Sequence, residues 1–218
     1  FSLGRTQEIV FVLDKLKNEG KLPNIKIFVD SPLSVSATEI VRKHPEAFNE
    51  ELREYIKKDP DPFGFNNLTY IQDSTESKEL NEIEEPCIII SASGMADAGR
   101  VKHHIRNSIS DPKNTILMVG FCAPFTLGAR LLEGQKEVHI FGEFFKVLAD
   151  IQVIHSYSAH ADYSELLRYL SCQSKEKVKN IFLVHGETES KVEFKEKLET
   201  EGYKTITIPQ KGETFKLE

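Results

Sequence analysis

Short, uniformly apolar runs set between amphipathic stretches govern what this chain can fold into. Cys87-Ile88-Ile89-Ile90-Ser91 and Thr115-Ile116-Leu117-Met118-Val119 are each one strand long, and neither alternates apolar with polar residues. Strands of that kind are buried on both faces, which happens when helices cross over a parallel sheet. The segments between supply the helices: Ile9, Val12, Leu13 and Leu16 recur on one helix face ahead of a stop at Gly20. The fold class is therefore α/β, with helices alternating with strands of a parallel sheet.

Along the chain the pattern predicts helices over 6–19, 35–44, 45–57, 75–84, 98–109 and 127–132, and strands over 24–29, 68–72, 87–91, 115–119 and 137–141. From Glu143 to Ile154 a longer, partly alternating strand segment changes the character of the chain, which puts a domain boundary at Gly142. Beyond it the pattern predicts helices over 163–170 and 189–201, a strand over 178–185, and strands near Thr205 and Phe215.

Composition narrows the class of function. With 39% hydrophobic and 28% charged residues among 218, collagen-like, disordered and mucin-like chains are excluded. No run approaches the ~20 apolar residues of a membrane span. Phe1 opens the sequence with no secretory signal behind it, which reads as the cut edge of a longer, cytoplasmic protein with no membrane partner. Cys87, Cys122 and Cys172 are odd in number and form no CxxC pair, so reduced thiols are expected. The net charge of -6 offers no global field for a polyanion, and any nucleic-acid contact must be local.

A few residues carry chemistry. His185 follows Ile181-Phe182-Leu183-Val184 and precedes Gly186, the place at a strand's end where open α/β sheets bind ligands. Its imidazole suits zinc; the bland alternative is a core-edge histidine. His160 stands in Ser158-Ala159-His160-Ala161-Asp162, just ahead of a helix start where Asp162 and Glu165 have capping-box spacing. Beside Ser158 it suits a phosphate contact or a proton donor, or it merely packs. Ser91, Ser93 and Gly94 leave a strand, and Arg100 enters the next helix, together a reasonable anion cradle although neither a Walker A loop nor GxGxxG. Arg100, Lys102, His103, His104 and Arg106 also fit a plain solvated helix face. Glu8 heads the first helix, where the dipole alone favours a carboxylate; facing a histidine, it would raise that imidazole's pKa and suit it to general-acid work.

Phe1-Ser2-Leu3-Gly4-Arg5-Thr6-Gln7-Glu8, Ser91-Ala92-Ser93-Gly94-Met95, Ser158-Ala159-His160-Ala161-Asp162 and Val184-His185-Gly186-Glu187, in that order, resemble the β-CASP branch of the metallo-β-lactamase superfamily, which consists of RNA-processing nucleases. The resemblance covers nearly the whole chain. It implies a parallel-sheet β-CASP domain over 1–142, followed over 143–218 by the C-terminal part of a metallo-β-lactamase αββα sandwich. It also implies a role for Glu8 as the motif A acid, for His160 as the motif B proton donor at the scissile phosphate, and for His185 as the motif C zinc ligand. Ser91, Ser93, Gly94, Arg100 and Ser158 would bind the RNA backbone.

The departure from the family is the missing HxHxDH motif, which holds most of the zinc in such enzymes. The seven histidines are His44, His103, His104, His139, His155, His160 and His185, and none completes such a string. The resemblance thus implies two zinc ions in an intact parent and none held by this stretch, which is expected to be inactive alone. Its partners would be RNA, the missing N-terminal metallo-β-lactamase segment and, as one option, a second copy in a homodimer. Other readings stay open: a non-catalytic RNA-binding or scaffold subunit of the same family, or a phosphate-binding α/β domain unrelated to nucleases.

Overall fold

Ile27 and Val29 are fully buried in the centre of the first sheet of the computed structural model, which describes residues 3–157 and 161–217. Contacts divide the chain into two units, Phe1–Ser158 and Ala159–Glu218. The first begins with α1 (Arg5–Asn18), β1 (Lys26–Asp30), α2 (Pro32–Lys43), a 3-10 turn (Pro45–Ala47) and α3 (Glu50–Tyr55). It continues with β2 (Leu68–Ile71), α4 (Ser74–Glu79), β3 (Cys87–Ser91), α5 (Arg100–Ser108), β4 (Thr115–Val119) and α6 (Leu127–Leu132), and ends with β5 (Glu137–Ile140), β6 (Glu143–Lys146) and β7 (Asp150–Ile154).

The expected parallel pairing is present. β1 lies between β2 and β3, with Ile27 opposite both Leu68 and Ile88. β4 pairs in parallel with β7, Ile116 opposite Ile151 and Met118 opposite Val153. Val10, Val29 and Phe63 centre one core cluster; Ile105, Ile109, Met118, Leu127, Leu131 and Ile140 belong to another.

Three elements differ from the sequence pattern, each for a local reason. The helix expected over 45–57 is interrupted because Asn49 caps a new start, its side chain accepting from the Leu52 amide at 2.9 Å. The helix expected from residue 98 starts at Arg100. Gly99 ahead of it has φ 81°, and a Cβ there would meet the Ala92 carbonyl oxygen at 2.5 Å. The segment over 143–154 is two strands with different partners. β6 forms an antiparallel hairpin with β5 through a turn at Phe141 (φ 51°) and Gly142 (φ 90°), whereas β7 runs alongside β4. The corner between them is held by the Leu148 and Ala149 amides, both donating to the Ile109 carbonyl at 2.9 Å.

The second unit contains α7 (Tyr163–Leu170), β8 (Ile181–Phe182), α8 (Thr188–Thr200) and β9 (Ile206–Thr207). The capping box forms as the spacing predicts: Asp162 accepts from the Glu165 amide at 2.9 Å, and Glu165 accepts from the Asp162 amide at 3.1 Å. β8 and β9 are parallel and packed around Leu198, Tyr203 and Ile206. β8 is shorter than the apolar run: among the described residues it pairs with β9, Ile181 opposite Ile206 and Phe182 opposite Thr207. Phe215 lies in no described strand; its ring rests 4.9 Å from that of Phe182. No described helix is long and apolar enough to cross a membrane.

Candidate functional site

The carboxyl end of β1 carries Asp30, fully buried, and the turn it starts is made by Ser31 capping α2 with Pro32 in the first helical turn. The Asp30 carboxylate accepts from Arg100 Nη1 at 2.6 Å through Oδ1, and from Ser77 Oγ at 2.6 Å through Oδ2. His104 Nε2 lies 2.7 Å from that same Oδ2, and its Nδ1 lies 2.8 Å from Asn81 Oδ1. Burial alone would push this carboxyl up, but the hydrogen bonds from Ser77, His104 and Arg100 hold it below the usual carboxylate range. Arg100 Nη2 donates to the Gln72 carbonyl at 2.7 Å, and Ser91 Oγ donates to the Asp30 carbonyl at 2.8 Å.

The basic run of α5 therefore splits by helical geometry. Arg100 and His104, four apart, face inward to Asp30. Lys102, His103 and Arg106 meet the β5–β6 hairpin instead. Lys102 Nζ lies 5.0 Å from the Phe141 ring centre, the His103 ring lies 4.5 Å from it, and Arg106 pairs with Glu143 at 2.9 Å.

The loop after β3 is closed upon itself. Ser93 donates to the Ala98 carbonyl through both its amide (3.1 Å) and its hydroxyl (3.2 Å), while the Val101 amide donates to the Ala92 carbonyl at 3.2 Å. Asp97 Oδ1 accepts from the Leu127 amide at 3.1 Å, tying the loop to α6. Against Gly94 lies the side chain that sequence reasoning passed over, Arg5: a Cβ at Gly94 would sit 2.9 Å from Arg5 Nη1, and one at Gly120, just past β4, 2.9 Å from Arg5 Nη2. Arg5 Nε donates to the Tyr157 carbonyl at 3.0 Å. The segments that follow β3, β4 and β7 thus meet around one guanidinium. Cys122 lies in the same place, its Sγ 3.6 Å from the Gly94 carbonyl; burial pushes its thiol up and the Arg5 charge pulls the other way.

Arg5 is held by the start of α1. Gln7 accepts from the Gly4 amide at 2.9 Å and donates to Thr38 Oγ1 at 2.8 Å, anchoring the first turn to α2. Glu8 lies three residues beyond Arg5 on this helix and is exposed. The hints of this cluster in the sequence are glycines within three residues of the ends of two apolar strands and an arginine opening a helix.

His185 belongs to the second unit. It is exposed, has φ 67°, and precedes Gly186 (φ 91°) and Glu187, the residue before α8. Ser158 and His160 lie outside the described residues. Zinc does not fit the described donor set: a catalytic zinc takes about three protein ligands, and no described group of three or more His, Cys, Asp or Glu is placed to hold a metal. His185 offers one imidazole, too few donors to hold the ion.

Residues 6–131, more than half of the chain, match the family model described as the Beta-Casp domain. Residues 145–209 match that of the Zn-dependent metallo-hydrolase RNA specificity domain. The chain belongs to the β-CASP family of metallo-β-lactamase-fold nucleases. Among its relatives, "Transcription termination factor FttA" of Methanosarcina mazei is 29% identical over 98% of this chain and 34% of its own length. "Ribonuclease TTHA0252" of Thermus thermophilus is 31% identical over 87% of this chain and 42% of its own. "RNase J-like protein" of Methanocaldococcus jannaschii is 32% identical over 96% of this chain and 46% of its own. The chain thus spans between a third and a half of the length of these three relatives.

Proposed function

We propose that this chain is the substrate-binding and acid-supplying part of a zinc-dependent ribonuclease that hydrolyses RNA phosphodiester bonds. The observation that carries the reading is the meeting of the motif A helix start, the Ser91–Gly94 loop, Gly120 and Tyr157 around the Arg5 guanidinium, at the carboxyl ends of parallel strands. The ribonuclease names of the Thermus and Methanocaldococcus relatives support the same chemistry. In this reading 1–142 is the β-CASP domain and 143–218 the C-terminal part of the metallo-β-lactamase domain. Glu8 orients His160, and His160 protonates the leaving oxygen. His185 contributes one ligand to a metal whose remaining donors lie outside this stretch of sequence. A zinc ion held by His185 together with those outside donors would supply Lewis-acid stabilisation of the developing phosphate charge.

The test uses the purified chain with a 5′-labelled single-stranded RNA and added zinc. The expected result is salt-sensitive binding, tighter than that of free nucleotides, without cleavage. Absence of RNA binding at low salt would refute the RNA reading. Robust cleavage by this chain alone would refute the assignment of the metal donors to sequence outside it.

A further inference from the structure

The cation expected at the Ser93–Gly94 loop is Arg100, but that guanidinium is spent inside the fold. Its Nη1 lies on a fully buried carboxylate and its Nη2 on the Gln72 carbonyl, with only 21% of the side chain exposed. Swinging it out to a ligand would leave Asp30 buried beside one fewer counter-charge, a costly exchange.

Arg5 stands where Arg100 was expected. We propose that Arg5 is the guanidinium that binds an RNA phosphodiester at the Gly94 loop, a deepening that rests on the function proposed above, and that Arg100 serves the fold alone. A guanidinium has five N–H donors in a planar fork that matches two phosphate oxygens. Nε is used on the Tyr157 carbonyl, which fixes the plane of the fork. The remaining nitrogens, Nη1 and Nη2, lie against Gly94 and Gly120, where any side chain would start 2.9 Å away. Bare backbone at both positions leaves the fork its room. Gly120 is constrained further by its φ of 102°. Both glycines follow parallel strands at the end where open α/β sheets take their ligands. Glu8 is the acid three residues along α1, and the Cys122 thiol feels the Arg5 charge.

The experiment measures binding of a fluorescein-labelled 12-nucleotide oligouridine to the whole chain by anisotropy, from 50 to 200 mM KCl, for wild type, Arg5→Gln, Arg5→Lys and Arg100→Gln. Removing one phosphate contact from a single strand reduces the slope of log K against log salt by about 0.7. Arg5→Gln is expected to weaken binding about tenfold, the worth of one charge-assisted contact, and to flatten the slope by that amount. Arg5→Lys keeps the charge without the fork, so it retains the slope and recovers part of the affinity. Arg100→Gln is expected to lower the melting temperature, because Asp30 loses a counter-charge, and to leave the slope unchanged. An unaltered slope in Arg5→Gln, with wild type binding normally, overturns the Arg5 assignment and leaves the RNA function standing. A flattened slope in Arg100→Gln with an unshifted melt returns the contact to Arg100. Wild type that fails to bind at any salt sinks the function and this assignment together. Should Arg5→Gln not fold, Gly94→Ala tests the same fork by crowding it, with weakened binding expected and wild-type affinity refuting.

Discussion

Replacing Asp30 by asparagine tests the buried network that holds α5 against the first sheet. The carboxylate serves three donors: Arg100 Nη1 on Oδ1, and Ser77 Oγ and His104 Nε2 on Oδ2, all within 2.7 Å. An amide of the same shape has one oxygen, so whichever way it turns its NH2 group confronts either the guanidinium or the Ser77–His104 side. Removing one member of a buried ion pair typically costs about 3–5 kcal/mol because the other charge stays behind. Arg100 retains the Gln72 carbonyl and some water, with 21% of its side chain exposed, which points to the low end, about 3 kcal/mol. Glu51→Gln is the control: the Lys15–Glu51 pair is 38% and 64% exposed and its loss should cost about 0.5 kcal/mol. Two separate units need not unfold together. Stability is therefore read by hydrogen exchange in urea on peptides covering β1 and α5. The folded-state pKa of Asp30 lies below its ordinary value near 3.8, so its contribution is present above that value and is lost as pH falls through the folded pKa. The gap between wild type and Asp30→Asn should accordingly close in acid. A cost under about 1 kcal/mol at pH 7, no larger than the control, would refute the buried-pair reasoning.

Gly99→Ala should destabilise the first unit by about 1–3 kcal/mol, because φ 81° and a Cβ placed 2.5 Å from the Ala92 carbonyl oxygen displace the turn into α5; a urea midpoint equal to wild type would contradict this. Asp14 behaves oppositely to Asp30. It is fully buried, and burial raises its carboxyl despite the Tyr55 hydroxyl donating to Oδ2 at 2.7 Å, while burial and that same bond push Tyr55 up to about 12. With the folded pKa above the unfolded one, the protonated group contributes its stability in acid and loses it as pH rises through the folded pKa. Asp14→Asn should thus be the more stable form at pH 7, with the advantage shrinking toward pH 4; urea midpoints across that range with wild type ahead at pH 7 would count against it.

Much of the architecture was legible because it depends on local pattern. Uniformly apolar runs at 87–91 and 115–119 read as strands of a parallel sheet and are β3 and β4. The capping box at Asp162 was visible in spacing alone. The apolar run over 178–185 overstated its strand, since strand length depends on how many residues of a partner lie alongside, and β9 offers two. Likewise 143–154 carried strand character throughout, but nothing in its composition distinguished the half that turns back on β5 from the half that runs beside β4.

The sequence by itself determined the alternation of helix and strand, the family motifs, and a concentration of basic side chains from Arg100 to Arg106, because periodicity and short spacing survive without a third dimension. Which of those side chains face the buried Asp30 and which face the β5–β6 hairpin was decided only by the tertiary structure. Arg100 is committed because β1 ends in Asp30, 70 residues earlier, and Arg5 reaches the loop because Gly94 and Gly120 leave space from two different strands. Charge compensation and steric clearance are properties of groups distant in sequence, and folding alone brings them together.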